Sequence, residues 1–270
     1  MPELPEVESL RRQLAPYVRG AEIDRVVIRR SGLRRPFPAD LAARLTGATV
    51  RQLTRRAKYL LAELASDDTL VVHLGMSGWF RIEPAEHPER PHDHVVLLLS
   101  NGRAVVFNDP RRFGVIDLVA SGEAGRYGPL ASLSPEPLSA AFDAAWLARA
   151  CARSRRAIKV ALLDQRVVAG LGNIYASEAL HVARLSPRLA ASALATRTGR
   201  PRPAAHRLAA AVKTVLTRAI DRQRRKARAP RFRVYDREGE RCLRPRCTGT
   251  IRRVTQAGRS TFYCPVCQRR

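Results

Sequence analysis

Four of the five cysteines lie near the C-terminus as Cys242-x4-Cys247 and Cys264-x2-Cys267, with 16 residues between the pairs. Thiols at that spacing fit two knuckles joined by a β-hairpin around one tetrahedral metal. Soft thiolates and closed four-coordination favour zinc, and four protein ligands leave no position open for a substrate. One structural zinc ion is therefore expected. The alternative is two disulfides, which a chain without a visible secretory signal disfavours. Cys151, in an apolar helical stretch, reads as a core residue. The other end of the chain offers different chemistry. Met1 is followed by Pro2 and Glu3, and a small second residue favours removal of the initiator Met. The product is a secondary amine, which can attack an electrophilic carbon and form an iminium, as an amide nitrogen cannot. An α-amino group titrates at about 8, so part of it is neutral near pH 7 without special activation. Glu3 can shuttle protons beside it. Ordinary charge complementarity at a helix N-terminus is the other reading of Glu3 and Glu6.

The 270 residues carry 49 Lys and Arg against 24 Asp and Glu, a formal +25 with a pI near 11.4. A polyanionic partner follows, and nucleic acid is the natural one. About half of the excess lies between Arg218 and Arg270, including Arg244, Arg246, Arg252, Arg253, Arg259, Arg269 and Arg270 around the cysteines. A metal-stapled hairpin so charged can present arginine to phosphates, although zinc ribbons also serve protein contacts. No apolar run nears the roughly 20 residues that span a bilayer, so a cytoplasmic protein with no membrane partner is expected.

These residues need elements to position them. Val7, Leu10, Leu14 and Val18 recur at helical spacing after Pro5, a residue suited to a first helical turn. Residues 22–120 are strand-rich, most clearly at 26–28, 59–64, 70–74, 95–99 and 104–107, with Asn101-Gly102 marking a hairpin between the last two. Prolines 129, 135 and 137 mark a linker. Helical patterns then cover 140–152, 157–165, 174–181 and 204–220, the last with Leu208, Val212, Val215 and Ala219 on one face. The class is α+β: a β-rich N-terminal domain over residues 1–130, a helical domain over 131–232, and a cysteine-bearing tail over 233–270.

Several motifs carry a resemblance. Met1-Pro-Glu-Leu-Pro-Glu-Val-Glu is followed by Lys58-Tyr-Leu-Leu, His73-Leu-Gly-Met-Ser-Gly, His92-Asp-His, Asp109-Pro-Arg-Arg-Phe-Gly, Gly170-Leu-Gly-Asn-Ile-Tyr-Ala-Ser-Glu and Gly258-Arg-Ser-Thr-Phe-Tyr-Cys. In order and across nearly the whole chain, they resemble the formamidopyrimidine-DNA glycosylase family. The resemblance implies an N-terminal β-sandwich, a helix-two-turns-helix domain and a zinc finger, with DNA held in a cleft. It implies a bifunctional glycosylase and abasic-site lyase that excises oxidised or ring-opened purines from duplex DNA, acting as a monomer. Pro2 would be the Schiff-base nucleophile and Glu3 a proton donor. Lys58 would assist β-elimination as general acid or base, and Arg259 would assist δ-elimination. By itself, a lone Lys in a strand is a solvated surface residue.

An extruded base leaves a hole in the duplex. Met76, Arg111 and Phe113 match the family's intercalating trio, and their chemistry suits it: an aromatic wedge, an adaptable filler, and a guanidinium for the orphaned base. Core packing is the alternative for Met76 and Phe113, but Gly75, Ser77 and Gly78 around the first, and Arg111, Arg112 and Gly114 around the second, suit exposed turns. The glycine pair before Asn173 can bring main-chain amides to a phosphate, with the Asn173 side chain as a further donor. Arg155, Lys159 and His92 are further phosphate candidates by resemblance, while His92 and His94 can also be hydrogen-bonded structural residues.

One departure stands out. Many relatives carry a Gly- and Thr-rich loop before the finger that closes over an oxidised purine; here Ala219 to Phe232 is short and strongly basic. An endonuclease VIII-like preference for oxidised pyrimidines, and a non-catalytic zinc protein that binds damaged DNA, therefore stay open as alternatives.

Overall fold

The structure, a computed structural model, describes residues 1–224 and 232–269. Residues 225–231, the middle of the basic stretch that stands where relatives carry a capping loop, lie outside the described residues. The chain divides into two compact units, Met1–Ala131 and Ser132–Arg270.

The first unit opens with helix α1 (Leu4–Val18), whose inward positions Val7, Leu10, Leu14 and Val18 are all buried, with Pro5 in the first turn. Strand β1 (Ile23–Ile28) and the short α2 (Leu41–Leu45) lead into β2 (Val50–Arg56), β3 (Tyr59–Leu64), β4 (Asp68–His73), β5 (Trp79–Pro84), β6 (Asp93–Leu99), β7 (Arg103–Asn108) and β8 (Val115–Ala120), and α3 (Gly128–Ala131) ends the unit. They pair antiparallel as two four-stranded sheets, β1-β6-β7-β5 and β2-β3-β4-β8. Inward residues of both sheets, among them Leu60, Leu64 and Val72 from one and Leu97, Val105 and Phe107 from the other, share one core with α1. This is the expected β-sandwich with a flanking helix. The Asn101-Gly102 hairpin is present, but its loop is three residues long, with Gly102 at φ +75° as such loops require. Strands β2, β5 and β8 were not among the clearest runs. The first is rich in Arg and the second ends in Pro, so neither shows the simple alternation of a half-buried strand.

The second unit holds α4 (Ala144–Cys151), α5 (Ile158–Leu162), α6 (Asn173–Ala183) and α7 (Pro203–Arg224), then β9 (Arg252–Gln256) and β10 (Arg259–Tyr263). Helix α4 starts later than its apolar pattern because Asp143 caps it, its carboxylate accepting the Trp146 amide at 2.7 Å. Helix α6 packs against both α7 and β10. Leu208, Val212 and Ala219 of α7 are buried as expected, with Val215 at the margin of that face. Cys151 is a buried core residue. Among the described residues, no helix is long and apolar enough to cross a membrane.

Candidate functional site

In the first unit, Pro2 is half-buried and directly precedes the N-cap of α1. That cap is Glu3, only 1% exposed, whose amide donates to the Glu6 carboxylate at 2.9 Å. Glu3 and Glu6 cap the helix start reciprocally, the Glu3 carboxylate accepting the Glu6 amide in return, so Glu3 is a buried, hydrogen-bonded carboxylate beside the residue that would carry the amine. One turn on, Glu8 accepts from Arg11, Arg12 and Arg55. Burial alone would raise its pKa, but the hydrogen bonds from Arg11 and Arg12 outweigh this and hold it at about 2. This network pins α1 to β2.

Lys58 lies in the two-residue turn joining β2 to β3, after Ala57 at φ 52°. It is only 8% exposed, so the solvated surface lysine that its local sequence suggests is not what the fold builds. Its charge is felt at His73 on β4, whose pKa burial, with the charges of Lys58 and Arg34, pushes down to about 4. A neutral His73 keeps the Nδ1 lone pair that accepts the Gly75 amide at 3.1 Å. His73 thereby starts the turn that carries Met76.

That turn and the loop before β8 are built against each other. Asp109 is fully buried; its carboxylate accepts the Ser77 hydroxyl and the Gly114 amide at 2.7 Å. Ser77 Oγ in turn accepts the Arg111 amide at 3.1 Å. Gly75 adopts φ +64°, and a Cβ there would meet the Phe113 carbonyl carbon at 2.3 Å, so only glycine permits this approach. On the resulting tip Met76 is 40% and Phe113 42% exposed, and the Arg111 guanidinium lies 5.1 Å from the Phe113 ring centre. Met76, Arg111 and Phe113 are thus brought together on one exposed tip, outside the core. His94 is buried, with Nε2 2.9 Å from the Asp109 carbonyl oxygen, and is a structural support for the same loop. His92 is exposed at φ 70°, its carbonyl accepting the Asp109 amide. Neighbouring Asp93 is buried in a two-bond pair with Arg81, at 3.0 Å for each bond. Asp109 and Ser77 were not singled out as site residues, although both lie within the quoted motifs.

In the second unit, Asn173 is the first residue of α6, behind Gly172 as N-cap. Its Nδ2 donates to the Ser260 carbonyl at 2.9 Å, next to exposed Arg259, and its Oδ1 accepts from Lys159 Nζ at 2.6 Å. Lys159 is 0% exposed and also donates to Thr261 Oγ1 at 3.5 Å. This burial places the Lys159 ammonium against Asn173 and Thr261, where it orients the Asn173 side chain. Arg155 is exposed in the turn before α5. Arg259 follows the Ala257-Gly258 turn, both residues at positive φ (47° and 71°), which suits a two-residue hairpin.

The finger hangs on α6. Buried Glu178 accepts the amides of Arg233, Val234 and Tyr235, so a helix carboxylate fixes the turn segment that leads into the finger. The ligand atoms of Cys242, Cys247, Cys264 and Cys267 all lie within 4.8 Å of one another. Cys242 and Cys267 are 3.9 Å apart at sulfur, and Cys247 and Cys264 3.6 Å. Zinc bonds of about 2.3 Å in a tetrahedron set sulfurs about 3.8 Å apart, so the four residues fit the ion. Burial, then the neighbouring sulfurs, push the Cys267 thiol well up, a crowding that a divalent cation relieves. At Gly249 a Cβ would meet Cys264 Sγ at 2.6 Å, so this knuckle too demands glycine.

Comparison with known proteins matches residues 1–116 to the formamidopyrimidine-DNA glycosylase N-terminal domain, 133–230 to the formamidopyrimidine-DNA glycosylase H2TH domain, and 239–270 to a zinc finger found in FPG and IleRS. The formamidopyrimidine-DNA glycosylase of Bradyrhizobium sp. (strain ORS 278) is 52% identical over 293 aligned positions, covering 100% of both chains. That of Rhodopseudomonas palustris (strain BisB18) is likewise 52% identical over the full length of both. Among solved structures, a Lactococcus lactis formamidopyrimidine-DNA glycosylase bound to DNA containing an abasic site superposes with a TM-score of 0.87 at 31% identity, covering 99% of this chain and 100% of that one. Complexes of the Lactococcus lactis protein with DNA containing Fapy-dG (TM-score 0.87, 30% identity, 99% of this chain and 100% of that one) and an oxidised pyrimidine (TM-score 0.88, 30% identity, 100% of each) superpose similarly.

Proposed function

The chain belongs to the formamidopyrimidine-DNA glycosylase family, and from that premise we propose that it is a base-excision repair enzyme that removes ring-opened and oxidised purines from duplex DNA and then cleaves the abasic site. With Met1 removed, the Pro2 amine attacks C1′ of the damaged nucleotide, the glycosidic electron pair leaves with the base, and the sugar is held as an iminium. Glu3, buried at the start of α1, moves protons at the opening sugar or departing base. Lys58 assists β-elimination and Arg259 δ-elimination at the flanking phosphates. Asn173, aimed by Lys159 at the N-terminus of α6, donates to the backbone together with Arg155 and His92. The work is divided among residues 1–130 for catalysis, 131–232 for DNA binding and 233–270 for the finger, on DNA in the bacterial cytoplasm.

The observation that carries this reading is the tip bearing Met76, Arg111 and Phe113. An apolar wedge and an adjacent guanidinium, exposed together and braced by a buried carboxylate, suit a protein that fills the gap left by an extruded nucleotide. Borohydride trapping on duplexes carrying formamidopyrimidine, 8-oxoguanine, an oxidised pyrimidine or an abasic site is the test. Covalent adducts on the abasic and ring-opened substrates are expected; no adduct on any duplex refutes the enzyme reading. Intact mass with Met1 retained refutes Pro2 as nucleophile. A preference for oxidised pyrimidines is the second reading, favoured by the short basic segment ending at Phe232, and the same trapping series ranks it.

A further inference from the structure

Helix α6 reaches the metal site through a residue that lies in neither cysteine pair. His181, in the last turn of α6, is fully buried, and its Nε2 lies 3.4 Å from Cys242 Sγ. Its Nδ1 has no hydrogen-bond partner among the described residues. A neutral imidazole carries one N–H. On Nε2, that proton gives the sulfur contact a donor and leaves only a lone pair idle. On Nδ1 it would be a buried, unpaired donor, with two acceptors facing each other at Nε2 and sulfur. A metal-bound thiolate accepts and does not donate, which favours the first arrangement.

We propose that His181 donates its Nε2 proton to the Cys242 thiolate and so acts, from outside the finger, as a positioning residue for the zinc site. Its own backbone is fastened to the same knuckle, since the Arg244 guanidinium donates to the His181 and Val182 carbonyls. The second pair is tied down in a similar way: the Cys264 amide donates to Gln268 Oε1 at 2.8 Å, and Gln268 Nε2 to the Leu185 carbonyl at 2.9 Å, just beyond α6. Four thiolates around a divalent ion leave a formal charge of about −2. A hydrogen bond into one sulfur draws off part of that charge and slows the protonation through which the ligand would let go. The finger is thereby completed by the helix that begins at Asn173. This inference rests on the cysteines holding zinc and is independent of the glycosylase reading.

The test is the rate at which the full-length zinc-loaded protein gives up its metal to a coloured chelator. His181→Phe keeps a ring and loses the donor; His181→Gln keeps an N–H. Release is expected to be about tenfold or more faster in His181→Phe, the scale of effect known for such outer partners, with His181→Gln closer to wild type. With cobalt in place of zinc, the thiolate-to-metal absorption should shift in His181→Phe. Release within about twofold of wild type in His181→Phe, or equal acceleration in both variants, overturns the proposal. Should His181→Phe not fold, wild-type protein loaded with NMR-active cadmium decides: a scalar coupling from the His181 Nε2 proton to the metal supports the bond, and its absence overturns it.

Discussion

Asp109→Ala tests how the exposed tip is held. The Asp109 carboxylate is fully buried and accepts two hydrogen bonds, from Gly114 N and Ser77 Oγ. Bonds to a charged acceptor are worth about 1.5 to 3 kcal/mol each, and truncation leaves the Gly114 N–H buried without an acceptor. Two circumstances reduce the sum. Ser77 is half-buried and its hydroxyl can turn to water, and the cost of keeping the carboxylate dehydrated disappears. The net loss should be about 2 to 4 kcal/mol. Asp109→Asn should recover more than half of it, because its carbonyl can still accept from Gly114 while its amide donates to Ser77 Oγ. The assay is urea unfolding in a Trp146→Phe background, where Trp79 is the one remaining tryptophan and reports the first unit. Excision of a ring-opened purine should fall in parallel, because Met76 and the Arg111–Phe113 loop lose their common brace. A stability within about 0.5 kcal/mol of wild type, or Asn as damaging as Ala, would refute the reasoning.

Phe113→Ala should change stability by less than about 1 kcal/mol, since the ring is 42% exposed, yet lower excision at least about tenfold; unchanged single-turnover excision would remove Phe113 from the wedge. Glu8 is held at about 2 against an ordinary 4.5, so its contribution is complete above about pH 4.5 and is lost as pH falls toward 2. At about 1.4 kcal/mol per unit this is about 3.5 kcal/mol, and Glu8→Gln should flatten that part of the acid limb in pH-dependent unfolding; an unaltered slope contradicts the network. Removing zinc, by chelation or by Cys264→Ser, should unfold the β9–β10 hairpin and weaken duplex binding at physiological salt by an order of magnitude; unaltered binding in a fluorescence anisotropy titration would deny the finger its role.

Features set by local chemistry were legible in the sequence. The cysteine spacing gives the metal, the helical recurrence of Val7, Leu10, Leu14 and Val18 gives α1, and the glycine-flanked settings of Met76 and Phe113 give exposed turns, because each depends on neighbours along the chain. The roles of charged and polar residues depended on partners far away in sequence. Lys58 by itself reads as a solvated lysine and Lys159, by resemblance, as a phosphate contact; tertiary packing buries both and turns Lys159 toward Asn173. Asp109 became the brace of the tip only when Ser77 was folded back onto it, and His181 acquired a sulfur partner 61 residues ahead. The sequence by itself determined which chemistry the chain carries. Only the tertiary structure decided which polar groups hold that chemistry in place, because burying a charge or a donor obliges it to find a partner, and the fold alone supplies one.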